Sequence, residues 1–191
     1  MRYLLRTLLV LGLLAPLRSA SAQTSIGLKG GLSFATLSNK QPDWKSRTGF
    51  AAGIAFDMRA GPIGLQPELL YVQKGVTGDG TPTSDAPRLD YAEVPVLIKV
   101  TIPIPAVQPF VYAGPSIGFR LNCKVAEVTC PSGLVKSTDF GAALGGGIRL
   151  GGNKGLTLEG RYTWGLKDIH DVKAGVETRT RTFLLLAGVS L

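Results

Sequence analysis

The sequence predicts an all-β fold, an eight-stranded antiparallel up-and-down transmembrane β-barrel, on three observations. Eight stretches of roughly a dozen residues alternate apolar with polar or small side chains. Their connectors run 9, 3, 12, 6, 17, 4 and 12 residues, so long and short links alternate strictly. No apolar run after residue 22 is long enough for a spanning helix. A membrane chain without such a helix must close its sheet, because an open strand edge in lipid leaves amides unpaired.

The first stretch, residues 24–37, opens with Gly27-Leu28-Lys29-Gly30-Gly31-Leu32-Ser33 and sets Lys29 and Phe34 on opposite faces. The second, 47–59, does the same with Asp57 and Arg59 against Phe50. The third, 63–75, places Glu68 opposite Tyr71, and the fourth, 88–101, carries Glu93 and Lys99 on one face. Pro67 and Pro95 fall well inside these two stretches, where a missing amide hydrogen should break a ladder, so bulges are expected there.

The fifth stretch, 108–120, shows the alternation plainly. Val111, Ala113, Pro115, Ile117 and Phe119 share one face, and Gly114, Ser116, Gly118 and Arg120 the other. The sixth, 138–150, sets Phe140, Ala142, Leu144, Ile148 and Leu150 against Asp139, Gly141, Ala143, Gly145 and Arg149. In the seventh, 155–166, Leu156, Leu158, Tyr162 and Trp164 oppose Thr157, Glu159, Arg161 and Thr163. The eighth, 179–191, keeps Phe183, Leu185, Ala187, Val189 and Leu191 outward.

Alternation alone does not separate a membrane barrel from a soluble sandwich or lipocalin, but aromatic position does. Phe34, Phe50, Tyr71, Phe119, Phe140, Trp164 and Phe183 all lie on the apolar face, each near the end adjoining a long loop. A ring at one height is the aromatic girdle expected where lipid tails meet head groups. The opposite face then gives the interior. Lys29, Arg59, Lys99, Arg120, Arg149 and Arg161 share it with Asp57, Glu68, Glu93, Asp139 and Glu159. Such nearly balanced charges, in a barrel just wide enough for side chains, predict an ionic plug rather than an open channel.

The first 22 residues predict export. Arg2 and Arg6, the apolar run 8–17 and Ala20-Ser21-Ala22 form a secretory signal cleaved between Ala22 and Gln23, leaving a single outer-membrane β-barrel domain over 23–191. Loss of Arg2, Arg6 and Arg18 takes the formal charge from +8 to +5. That excess favours contact with anionic lipopolysaccharide, whereas the scattered basic residues of an exported chain argue against nucleic acid.

Chemistry-bearing residues are few. His170, between Asp168 and Asp171 in the last long connector, is the one histidine, so no metal cluster is expected. No serine stands beside it in sequence, and Ser46 or Ser137 would have to approach through folding. Gly145-Gly146-Gly147 lies inside a strand and precedes no helix, so it is not a phosphate loop. Neither cofactor nor catalytic activity is expected. Cys123 and Cys130, seven positions apart in the longest connector, are expected to form a disulfide in the oxidising compartment an exported chain enters.

Several segments together resemble a known family. Leu65-Gln66-Pro67-Glu68-Leu69-Leu70-Tyr71 with Lys74-Gly75, then Tyr91-Ala92-Glu93-Val94-Pro95-Val96-Leu97-Ile98-Lys99, is similar to the outer-membrane β-barrel domain of PorT-family proteins of Bacteroidetes and their relatives. Pro109-Phe110-Val111-Tyr112-Ala113-Gly114-Pro115, Asp139-Phe140-Gly141, and Arg161-Tyr162 with Gly165-Leu166 extend the resemblance over the mature chain. It implies an outer-membrane location in a Gram-negative envelope, and its namesake takes part in a secretion system. The expected role is structural or surface-interacting: a monomeric barrel in lipid and lipopolysaccharide that meets any protein partner at the outer loops 38–46, 76–87, 121–137 and 167–178. A lipid-modifying or proteolytic enzyme at the rim, a narrow solute channel and a secretion-system component are the alternatives.

Overall fold

A computed structural model describes residues 23–37, 45–77, 88–125, 128–129, 137–151, 155–166 and 180–191. The signal segment with Ala22, and most of each long connector, lie outside them. In chain order the strands are β1 (Gln23–Leu37), β2 (Lys45–Ala60), β3 (Ile63–Thr77), β4 (Arg88–Thr101), β5 (Val107–Val125), β6 (Val128–Thr129), β7 (Thr138–Leu150), β8 (Leu156–Gly165) and β9 (Thr180–Ser190). Setting aside the two-residue β6, eight long strands form the wall. Each pairs antiparallel with its neighbour in the order β4-β3-β2-β1-β9-β8-β7-β5, and β4 pairing with β5 closes the ring. The fold is therefore a closed eight-stranded antiparallel barrel.

Period-two burial runs through the wall. In β9 every even residue from Thr180 to Ser190 is buried and every odd one exposed, and β4 and β8 repeat the pattern. The outward set is apolar: Leu28, Leu69, Ile98, Val111, Leu144, Leu158 and Leu185 are all exposed, which lipid and not water would favour. The inward set is polar in large part, with small apolar clusters such as Leu70, Val72, Leu184 and Leu186 between the charged groups.

Turns at one end are tight. Gly61-Pro62 joins β2 to β3, with Ala60 opposite Ile63 and Gly61 at a φ of 64°, the positive value that the first position of a type II′ hairpin turn needs. At the β4–β5 turn Val107 N–H donates to Pro105 O at 2.9 Å around Ala106, whose φ of 70° is unusual for a residue with a side chain.

Two expectations need correction. Pro67 and Pro95 produce no bulge. The β2–β3 ladder skips from Leu65 opposite Met58 to Glu68 opposite Ala55, and the β3–β4 ladder from Pro67 opposite Val96 to Leu70 opposite Glu93. Two pairs drop out at each proline, yet the register is the same on either side. The irregularities occur instead toward the long-loop end, between Ser46 and Ala51 and between Asp90 and Tyr91. The connector expected to begin at Leu121 is the second correction. There β5 runs on to Val125, and Lys124 and Val125 pair with Thr129 and Val128 of β6. The cause is the irregularity at Asp90/Tyr91: Tyr91 faces Arg120 while Asp90 faces Asn122, so Leu121 is the extra residue and the alternation shifts across it.

Candidate functional site

Parity brings the inward charges together, and they sort into three tiers along the barrel axis. The middle tier is built by Lys29 from β1, Glu68 from β3, and Glu159 and Arg161 from β8. Arg161 Nη1 and Nη2 donate to Glu68 Oε2 and Oε1 at 2.7 and 2.9 Å, and Nη2 also reaches Glu159 at 2.9 Å. Lys29 Nζ donates to Glu68 at 2.8 Å and to Glu159 at 2.9 Å. In the ring order β3 and β8 stand four strands apart, so the bidentate Glu68–Arg161 pair spans the full width of the lumen. Arg161 Nε donates to Tyr112 Oη at 3.0 Å, and its guanidinium lies 5.0 Å from the Tyr112 ring. Two cations meet two carboxylates, every one almost wholly removed from water. Such a set is stable only when its hydrogen bonds are nearly complete, which is the case here.

Toward the short-turn end lies the second tier. Asp57 of β2 accepts from Lys99 Nζ of β4 at 3.1 Å and from Arg149 Nη2 of β7, a pair that again spans the diameter, with Arg59 Nε 3.7 Å away. Lys99 also donates to Gln66 Oε1 at 2.7 Å, and Gln66 Nε2 donates onward to Glu68, joining this tier to the middle one. Lys99 Nζ sits 4.2 Å from the Phe110 ring centre.

The third tier lies toward the long-loop end. Lys74 of β3 pairs with Glu93 of β4 and lies 3.8 Å from Asp139 of β7, which accepts from Thr180 Oγ1 of β9 at 2.9 Å. Lys74 Nζ is 5.0 Å from the Tyr91 ring. Arg120, half-buried, stands in register opposite Tyr91 at this end.

The eleven charged residues expected in the interior all face inward. Lys74, Gln66, Tyr112, Tyr91 and Thr180 complete their contacts and were missed. The signal was present, since Lys74 and Gln66 share the even parity of Glu68 in β3, and Tyr112 that of Ser116 in β5.

On the outward face, Phe50, Phe119, Phe140 and Phe183 are exposed and Phe34, Tyr71 and Trp164 half-buried. Phe34 pairs with Phe183 at 6.3 Å, Phe50 with Tyr71 at 5.3 Å, and Trp164 with Tyr162 at 5.3 Å. The first two pairs join neighbouring strands, whereas Tyr162 and Trp164 stack along the one strand β8.

Cys123 is buried on the inward face of β5 opposite Leu89, while Cys130 lies outside the described residues. Asp168, His170 and Asp171 also lie outside them. Ser46 and Ser137 are exposed at the long-loop end. Among the described residues no group of three or more histidine, cysteine or carboxylate side chains is placed to hold a metal.

Residues 19–171 match the family described as outer membrane protein beta-barrel domain. Among solved structures the chain is similar to Neisserial surface protein A, at 14% identity and a TM-score of 0.61, over 90% of this chain and 99% of that one. The N-terminal β-barrel domain of Pseudomonas aeruginosa OprF aligns at 10% identity and a TM-score of 0.49, over 90% and 100%. Ail of Yersinia pestis, solved with the heparin analogue sucrose octasulfate, aligns at 14% and 0.47, over 89% and 99%. No curated protein matches the sequence.

Proposed function

The chain belongs to the outer-membrane β-barrel domain family and resides in the outer membrane, and from that premise we propose that it is a non-catalytic scaffold whose plugged barrel presents its long loops for surface interaction. The observation that carries this reading is the Glu68–Arg161 pair, tied to Lys29, Glu159 and Tyr112, which crosses the lumen at mid-height. Ion pairs buried on both sides favour a filled support over a conduit. The PorT-like motifs, the cleaved signal over residues 1–22 and a Cys123–Cys130 bridge shaping the longest loop belong to the same reading. The outward aromatics of the long-loop end serve as its interfacial girdle, and the mature charge of +5 draws the loops to lipopolysaccharide.

The test is cross-linking in intact cells. Replacing 126–136 or 167–178 by a short turn is expected to leave the heat-modifiable gel mobility of the folded barrel intact while removing cross-links to lipopolysaccharide or to a surface protein. Cross-links that survive both deletions and map to the tight turns at 60–62, 102–107 and 151–154 would overturn it, as would a lipid modification lost in His170→Ala. In planar bilayers the purified protein is expected to show no large, stable conductance.

A further inference from the structure

We propose that the short-turn end of the lumen binds a small inorganic anion of halide size between Arg149 and Lys99. The middle tier matches two cations with two carboxylates, but among the described residues Asp57 is the one carboxylate that meets both Lys99 and Arg149, with Arg59 Nε 3.7 Å away. These are not solvated surface charges: the side chains of Lys99 and Arg149 are each 2% exposed and that of Arg59 is 9%. Cation excess at such burial is costly, and a counter-ion from solution is the simplest way to relieve it.

Two further observations locate the ion. Arg149 uses only Nη2 toward Asp57; its Nε and Nη1 find no hydrogen-bond acceptor among the described residues. Gln108, in register opposite it on β5, does not satisfy them: its amide oxygen is itself buried without a hydrogen-bond partner among the described residues. A cavity opens beside these groups, lined by Lys99, Arg149, Asp57 and the hydroxyl-bearing Ser25, Thr157 and Ser190. It has room for about one water-sized particle. Ammonium, guanidinium and hydroxyl groups all donate, and a chloride or bromide ion, monatomic though larger than water, accepts from several at once. A phosphate or lipid head group exceeds that space, and a metal cation would meet net positive charge.

The experiment follows the chloride NMR line width of the full mature barrel, refolded in detergent micelles and scored only when it shows the folded gel band. Wild type is expected to broaden the line saturably, with bromide competing and sulfate not. Arg149→Gln is expected to weaken binding roughly tenfold or more, the worth of a charge-assisted hydrogen bond; Lys99→Met takes its place if that variant does not fold. Asp57→Asn removes the internal competitor and is expected to tighten binding, a gain that a structural role for Asp57 would not produce. Folded wild type without saturable broadening, or broadening unchanged by loss of Arg149 or Lys99, would overturn the proposal.

Discussion

The middle and outer tiers of the lumen use the same chemistry in different degrees of closure. At mid-height each carboxylate is shared by two cations and each cation by two carboxylates, and the shortest route between opposite walls is a bidentate pair. In the outer tier, among the described residues, Lys74 is the one cation that bridges Glu93 and Asp139, and a hydroxyl, Thr180, supplies the second donor to Asp139. A hydroxyl is a weaker and more replaceable partner than a guanidinium. The difference teaches that, among the described residues, the ion set at mid-height is the more fully cross-linked and the set nearer the long loops the less.

Three substitutions break or sharpen that contrast. Glu68→Ala leaves Arg161 and Lys29 to share Glu159 and is expected to destabilise the barrel by about 3–5 kcal/mol, since removing one member of a buried ion set leaves uncompensated charge. Urea titration in phospholipid vesicles, followed by Trp164 fluorescence on the outer wall, would measure it. Lys74→Met leaves two carboxylates facing each other but spares the Thr180 contact, so the same titration should show a smaller loss, about 1–3 kcal/mol. If Lys74→Met cost as much as Glu68→Ala, the contrast between the tiers would be wrong. The smallest effect belongs to Tyr112→Phe, which removes one acceptor from Arg161 while keeping the ring beneath it, at about 1 kcal/mol.

Strands and lumen residues were legible because a wall between lipid and lumen writes a period of two into the chain. Arg88–Thr101 and Thr138–Leu150 begin and end where the alternation places them. The reading failed where the period is broken or truncated. At Leu121 an extra residue shifts the parity, so the continuation of β5 to Val125 looked like loop. Lys74 sits one residue from the expected end of its stretch and was passed over, although its parity marks it as inward. Pro67 and Pro95 misled in the opposite direction, because one missing donor can be absorbed by dropping two pairs without shifting the register. Which cation meets which carboxylate was not legible at all. The bridging partners lie far apart in the chain, Lys29 from Glu68 by 39 residues and from Glu159 by 130, and meet only through the stagger of the closed ring.

The seam between β1 and β9 sets a limit on how this wall can form. Gly27 pairs with Ser190 and Leu37 with Thr180, so the last ladder to close joins segments separated by most of the chain, while every other ladder of the ring links strands adjacent in sequence or nearly so. Hairpins such as β2–β3 and β7–β8 can zip locally, but the seam carries the full entropy of closing a long loop. Insertion is therefore expected to pass through an open, curled sheet whose two free edges wait for each other. Until they meet, Lys29 on one edge strand has no fixed position relative to Glu159 on the far side, and the middle tier can form only after the ring has closed.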